Sequence, residues 1–114
     1  MNAPESIPQD QSAPARATVL RAHPALPSSQ QWRINSLIDA MPVDWFQLDD
    51  MPQLIELARH MDRAERILNH LQKVPSKDNF TRRALSELVV AEESRIQALS
   101  VRLRVPSPIA QPRF

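Results

Sequence analysis

The sequence has 114 residues and a formal net charge of +1, and it contains eleven prolines but no glycine and no cysteine. This length suits one small domain. The lack of glycine excludes the usual glycine-rich phosphate loops and dinucleotide motifs, which need backbone conformations that other residues adopt poorly, and the lack of cysteine excludes disulfides, thiolate metal sites and a thiol nucleophile.

The two ends of the chain differ in composition from its middle. Five prolines lie in the first 27 residues and three in the last nine, with few large apolar side chains to offset the entropy lost on ordering. We predict a disordered arm over residues 1–28, a helical domain over residues 29–105 and a flexible proline-rich tail over residues 106–114. A signal peptide and an apolar stretch of membrane-spanning length are both lacking, so we expect a soluble cytosolic protein.

A short helix is predicted at the start of the domain, with Ser28 or Ser29 as its cap. Its apolar residues recur at roughly helical spacing: Trp32, Leu37 and Ile38. Pro42 is expected to end it at Met41, because proline disfavours helix in the preceding residue. The connector at residues 43–46 then supplies two aromatic side chains. Three aromatic residues are interpreted as core anchors rather than base-stacking platforms: Trp32, Trp45 and Phe46.

Two long amphipathic helices are predicted after the connector, which makes the fold class all-α. Asp49 is the candidate cap of the first, with Asp50 and Pro52 in its first turn, and Pro75 ends it. Both helices carry apolar residues at alternating steps of three and four, typical of packing along a shared seam. These residues are Leu54, Leu57, Met61, Ala64, Leu68 and Leu71, then Leu85, Val89, Ile96, Leu99 and Leu103. The short turn at residues 76–79 favours an antiparallel two-helix hairpin.

The second long helix also carries apolar residues outside the seam. Ala84, Ala91 and Ala98 recur every seven residues, and small residues at that interval let another helix approach closely. Together with Val90 and Val101 they predict self-association through this helix. The alternative is that the short first helix covers the same face within one chain.

Glu92 falls on the seam of the second long helix. It is either a polar contact that sets the register, with His60, Arg63 or Arg66 as partners across the hairpin, or a solvated edge of the apolar stripe. The solvated edge is the favoured interpretation, because buried acids are uncommon.

Positive charge is concentrated in two segments, although the net charge is small. Residues 73–84 carry two lysines and two arginines against one aspartate, and residues 101–114 carry three arginines and no acid. The least compensated patch, which we name the basic turn, consists of Lys73, Lys77, Arg82 and Arg83. Arg102 and Arg104 are expected to return beside the acids that begin the first long helix. Both groups are candidate contacts for double-stranded DNA, although any one of these cations alone is more readily explained as solvated surface.

No arrangement typical of catalysis or of a metal site is evident. His60 and His70 are ten residues apart, which places them on different faces of a helix. Acids that are adjacent in sequence diverge on a helix, and no cluster of serine, histidine and acid emerges. We therefore expect a protein that is not an enzyme, with no catalytic residues, no metal ligands and no cofactor.

Short motifs within residues 31–104 form a familiar pattern. They are Trp32 before a short helix, Asp44-Trp45-Phe46 followed by Asp49, the run from Leu54 through Leu57 to Arg59-His60, and Glu93-Ser94-Arg95 leading to Leu99 and Leu103-Arg104. In these motifs the chain resembles the small terminase subunit of tailed bacteriophages. It departs from that family at residues 105–108, where Val-Pro-Ser-Pro replaces the usual Thr-Pro and Ser-Arg, and in lacking a visible helix-turn-helix in its N-terminal arm.

The resemblance implies a non-catalytic DNA-packaging subunit. Such proteins form ring-shaped homo-oligomers, recognise the viral genome and deliver it to a large subunit with ATPase and nuclease activity. The implied partners are double-stranded viral DNA, the large terminase subunit and further copies of the chain, with no membrane, in the cytoplasm of the bacterial host. The alternative is a helical protein–protein adaptor or scaffold that does not bind DNA.

Overall fold

The computed structural model describes residues 20–108 and is all-helical over that range. Its elements are α1 (Ser28–Ala40), a 3-10 helix (Leu48–Asp50), α2 (Met51–Lys73) and α3 (Asn79–Leu103). The predicted all-α class is confirmed. Within these residues, no helix combines the length and the apolar character needed to cross a membrane. The predictions for the first 19 residues of the arm and the last six of the tail lie outside the described residues.

The start of α1 differs from the prediction. Pro27 occupies the N-cap position and Ser28 and Ser29 lie inside the helix, so the prediction that a serine caps α1 is wrong. The Ser29 hydroxyl instead donates a hydrogen bond of 2.7 Å to Asp62 of α2. The helix ends at Ala40, one residue before the extended Met41, as expected for a residue that precedes proline.

Residues 20–27 pack against α1 and the core, although their composition placed them in the disordered arm. Ala22 is 8% exposed, and its backbone N–H donates to the side-chain oxygen of Asn35 at 2.8 Å. Leu20 and Leu26 pack against the same core. These three apolar side chains give residues 20–27 a burial that their proline-rich composition did not predict.

The connector between α1 and α2 supplies two aromatic side chains to the core, as predicted. Phe46 is 8% exposed, and the indole N–H of Trp45 donates to the Leu103 carbonyl at 3.2 Å. Trp32, however, is 66% exposed, so its interpretation as a core anchor is wrong. Asp44 has a φ of 65°, which is a left-handed conformation. Glycine usually occupies such positions, and in this chain, which has none, a short polar side chain that tolerates the conformation takes its place.

The start of α2 also differs in its cap. Its N-cap is Asp50, not the predicted Asp49, and the Asp50 carboxylate accepts a hydrogen bond of 2.8 Å from the Gln47 N–H. Pro52 lies in the first turn, where its missing N–H costs no hydrogen bond. The helix ends at Lys73, because Val74 is extended before Pro75.

Packing between α2 and α3 buries much of the predicted apolar seam, and its partly buried members are Met61, Leu68, Leu71 and Leu85. Leu54 and Leu57 are fully buried on α2, and Val89, Ile96 and Leu103 are at most 6% exposed on α3. Burying one large aliphatic side chain stabilises a fold by about 1.5–3 kcal/mol. Each of these large aliphatic side chains therefore contributes to stability on this scale.

Three hydrogen-bonded residue pairs link the α2 side of the domain to the α3 side. Along these pairs the residue numbers rise on the α2 side while they fall on the α3 side. From the connector to the turn, these pairs are Trp45–Leu103, His60–Glu92 and Val74–Arg82. Helix α1 packs on α2 and makes few contacts with α3. Within residues 20–108, one side of α3 is therefore not covered by another helix.

Candidate nucleic-acid interface and assembly face

The turn between α2 and α3 is fixed by its own hydrogen bonds. The Val74 N–H donates to Leu71, and the Asp78 N–H donates to Pro75 at 3.0 Å. The Asp78 carboxylate caps α3 by accepting a hydrogen bond of 3.1 Å from the Thr81 N–H. A defined backbone is thereby obtained without glycine.

The four cations of the basic turn lie together around this segment, but they are not equivalent. Lys73, Lys77 and Arg83 are exposed. Arg82 is only partly exposed, because its guanidinium donates to the Val74 carbonyl at 3.2 Å and so satisfies an acceptor at the end of α2. Among residues 20–108, no ion pair includes any of the four.

Arg102 and Arg104 lie at the other end of α3. Both are exposed, and the Arg104 guanidinium stacks over Trp45 at 4.7 Å from the ring centroid. The ion pairs formed in the described part of the chain include none between these arginines and Asp49 or Asp50. The expected neutralisation through direct ion pairs is therefore not seen.

The residues predicted to mediate self-association lie on the uncovered side of α3, which we name the α3 outer face. Its alanines, Ala84, Ala91 and Ala98, are all exposed, and Val90 and Val101 are 62% and 67% exposed. Because α1 packs on α2 instead, the alternative in which α1 covers this face is wrong.

Two large apolar side chains of α3 were missed from the sequence. Phe80 is 84% exposed and Leu88 is 51% exposed. Phe80 lies four residues, or about one helical turn, before Ala84, so extending the same helix face by one turn toward the N-terminus would have found it. Leu88 belongs to the uninterrupted aliphatic run Leu88-Val89-Val90-Ala91, where the heptad pattern alone does not specify which way Leu88 points.

Glu92 is buried, so the favoured interpretation of a solvated edge is wrong. Its carboxylate lies 2.6 Å from His60 Nδ1 and 3.4 Å from Arg63 Nη1, and Arg95 approaches it at 3.6 Å. A carboxylate only accepts hydrogen bonds, so Nδ1 of His60 carries the proton in this contact. Burial raises the pKa of Glu92, but the hydrogen bonds and charges of His60 and Arg63 outweigh it and lower the pKa below its ordinary value.

Asp62 forms a second buried polar contact, between α1 and α2, that was not predicted. It is 8% exposed and accepts hydrogen bonds from Ser29 and, at 2.6 Å, from Arg33, which also pairs with Glu65. Burial raises the pKa of Asp62, but the bonds from Arg33 and Ser29 lower it below its ordinary value. In the sequence, the burial of Asp62 is indicated only by its position one helical turn after Ala58, on the same face of α2. That face becomes part of the core because α1 packs on it.

An open groove of about 490 Å³ lies where α1 meets the two long helices. Its apolar lining includes Trp32, Met61, Leu68, Ile96 and Pro108. Glu65, Glu93 and Arg33 supply charge around it. Within residues 20–108, no group of three histidine, cysteine or acidic side chains is placed to hold a metal ion.

No family model, curated protein or solved structure matches this chain. The resemblance to small terminase subunits therefore stays a prediction from short motifs. The exposed cations of the basic turn, the α3 outer face and the groove are the features that bear on function.

Proposed function

We propose that this protein is the small terminase subunit of a tailed phage or prophage, a non-catalytic subunit that binds double-stranded viral DNA and delivers it to the large terminase subunit for packaging. In this proposal α2 and α3 form an antiparallel hairpin with the basic turn at its end. The supporting observation is that Lys73, Lys77 and Arg83 are exposed together, without an ion-pair partner among residues 20–108.

Uncompensated surface cations suit a polyanion for a physical reason. Each phosphate that a lysine or arginine neutralises releases condensed counterions, which favours binding and makes it depend on salt. Asp78 is the only acid within residues 73–84, and its carboxylate is engaged at the start of α3. The local charge is therefore presented to solvent as a positive patch.

Assembly into a ring would repeat this patch around a circle and strengthen its field. The α3 outer face supports such an assembly, since its valines are more than 60% exposed and its alanines permit close helix packing. Exposed apolar side chains aligned on one helix face are typical of an interaction surface.

DNA binding is tested by removing charge from the basic turn while leaving Arg82, which holds the turn together. The variant Lys73→Gln/Lys77→Gln/Arg83→Gln should bind a duplex more weakly. The slope of log affinity against log salt should flatten by about 0.9 for each phosphate that the variant no longer neutralises, or about 2.7 per bound copy. Fluorescence anisotropy over a range of salt concentrations measures both quantities.

The matched control removes the same charge from exposed positions elsewhere. The variant Arg21→Gln/Arg59→Gln/Arg66→Gln has the same net charge, and all three of its sites are exposed. Its salt slope should stay close to that of the wild type. Equal slopes for the two triple variants would show that the basic turn is not the DNA site.

Assembly is tested on the α3 outer face. Ala91→Glu or Ala98→Glu should convert a closed oligomer into smaller species, because each places a charge where another helix must pack closely. Native mass spectrometry or light scattering gives the mass. Asn69→Glu, at an exposed position of α2, is the control and should keep the wild-type mass. A wild-type protein that is monomeric at micromolar concentration would contradict the assembly.

The second candidate function is a helical protein–protein adaptor, and the groove beside Trp32 favours it. A tryptophan that is 66% exposed next to an apolar groove is a common feature of protein contacts. The adaptor requires no DNA affinity. It becomes the better description if the wild-type protein fails to bind duplex DNA even at low salt.

A further inference from the structure

We infer that Phe80 is a stacking site for a nucleobase, set within the basic turn. This inference deepens the proposed DNA-binding function and rests on it. Phe80 is 84% exposed, more than any other large apolar side chain in the described part of the chain. An aromatic ring left in water contributes nothing to the core, and beside cations without an ion-pair partner among residues 20–108 it offers a face on which a base can stack.

The position of Phe80 directs its ring toward the cations. It is the second residue of α3 (Asn79–Leu103), and side chains on a helix lean toward the helix N-terminus. We therefore expect the ring to lean toward the turn that carries Lys77, at the N-terminal end of the α3 outer face. Arg83 follows three residues later and is exposed near it on the helix surface.

The support under the ring is rigid. The first turn of α3 is capped by Asp78 through the Thr81 N–H, and it is tied to the end of α2 by the bond from Arg82 to the Val74 carbonyl. A ring held on a fixed backbone loses less freedom on binding than one on a mobile loop.

The chemistry around the ring selects the class of ligand. A partner that satisfies both a flat apolar ring and the cations beside it must place a flat apolar face next to negative charge. A nucleotide does so, because its base stacks on an aromatic side chain while its phosphate meets lysine or arginine. A lipid surface fits less well, since interfacial helices present a broad apolar face and only one aromatic ring is present in this turn.

The ligand feature is thus the face of a nucleobase, which either an unpaired strand or an opened step in a duplex can supply. Aromatic rings stack on single-stranded bases, and apolar side chains wedge between the base pairs of bent duplexes. Both sources use the same contact. They differ in whether the ring also contributes to duplex affinity.

The experiment compares full-length Phe80→Ala, Phe80→Leu and wild type on a single-stranded oligonucleotide and on a duplex of the same sequence. Phe80→Ala should lower affinity on the order of tenfold, as expected for losing one stacked base, without changing the salt slope. On the single strand, Phe80→Leu should lose most of the same affinity, because leucine is apolar but has no aromatic face on which a base can stack. On an opened duplex step it should retain more, because leucine can also wedge between base pairs. A loss confined to the single strand identifies an unpaired base, and a loss on both identifies an opened duplex step.

A spectroscopic readout places the stacked ring directly. Phe80→Trp should retain affinity and show added quenching of tryptophan fluorescence when DNA binds. The control is Ser36→Trp, at an exposed position of α1 that belongs to neither group of candidate DNA contacts. It should show no added quenching.

The results separate this inference from the function on which it rests. Failure of the wild type to bind either nucleic acid at low salt overturns both. If the wild type binds and Phe80→Ala binds with unchanged affinity, the stacking site alone is overturned. The stacking site is also overturned if Phe80→Ala dissociates the oligomer while each copy keeps its affinity for DNA, because Phe80 would then serve assembly. Binding to anionic vesicles that depends on Phe80, with DNA affinity unaffected, would assign the ring to a membrane surface instead.

Discussion

Two serines, the buried Ser100 and the exposed Ser29, show how much the hydrogen-bond partner of a hydroxyl matters. Ser100 is 1% exposed, and its hydroxyl has no hydrogen-bond partner among the described residues. The Ser29 hydroxyl donates to Asp62 at 2.7 Å. Burying a hydroxyl without a hydrogen-bond partner lowers the free energy of unfolding, whereas a hydrogen bond to a buried carboxylate raises it.

We expect opposite effects from the two alanine substitutions. Ser100→Ala should leave the free energy of unfolding unchanged or raise it by up to about 1 kcal/mol, because it removes an unsatisfied group from a helix. Ser29→Ala should lower it by about 1 kcal/mol, because Asp62 loses a donor. Urea unfolding at neutral pH measures both, and a larger loss in Ser100→Ala than in Ser29→Ala would contradict the expectation.

Single residues also limited what the sequence could predict. Ser28, Ser29 and Asp49 have the right chemistry for caps, but a neighbouring residue occupies each cap position. Several residue types suit a cap equally well, and tertiary contacts decide among them, as the bond from Ser29 to Asp62 shows. The prediction that Trp32 is a core anchor is wrong for a related reason. The apolar periodicity of so short a helix does not specify which side of the helix is buried.

Among the helices, most of the seam was predicted, but Glu92 on the seam was interpreted as solvated and the burial of Asp62 between α1 and α2 was not predicted. Steps of three and four specify which side of α2 and α3 is buried, because that spacing follows from helix geometry alone. The burial of Asp62 and Glu92 depends on cations and donors presented by a different helix. Those partners, Arg33 for Asp62 and His60 for Glu92, are about 30 residues away in sequence.

The same two acids predict how helix packing responds to acid. Their pKa values are lower in the folded protein than ordinary, so the unfolded chain takes up protons first as the pH falls. Their contribution to stability is therefore complete above about pH 5, and it is lost as the pH falls through about 4, the ordinary range for Asp and Glu, toward their lower folded pKa values. The groups that face them are Arg33 and Arg66 for Asp62, and His60, Arg63 and Arg95 for Glu92.

Denaturant unfolding between pH 7 and pH 3 checks this expectation. The wild type should lose stability steeply below about pH 5. Glu92→Gln and Asp62→Asn should each be less stable at pH 7 and should show a shallower dependence on pH, because each removes one titrating carboxylate. Exposed Glu56→Gln is the control and should leave the slope unchanged. Equal slopes for all four proteins would assign the acid sensitivity to other groups.

At the scale of the whole molecule, the candidate DNA contacts fall at two ends. The 23 residues of α2 span about 35 Å at 1.5 Å per residue, and this length separates the basic turn from Arg102 in the hairpin that we propose. One turn of B-form DNA is of similar length, about 34 Å. A duplex lying along the hairpin would meet both ends only if it exceeded about one turn.

The effect of removing Arg102 should therefore depend on the length of the DNA. On a duplex of about two turns, Arg102→Gln should lower the salt slope by about 0.9 per copy, the value for one phosphate contact. On a hairpin duplex of about eight base pairs, which reaches only one end at about 3.4 Å per pair, the slope should match the wild type. Exposed Arg59→Gln should change neither. A similar decrease of the salt slope on both duplexes would mean that Arg102 contacts DNA independently of the basic turn. The duplex would then cross the α2–α3 pair rather than run along it.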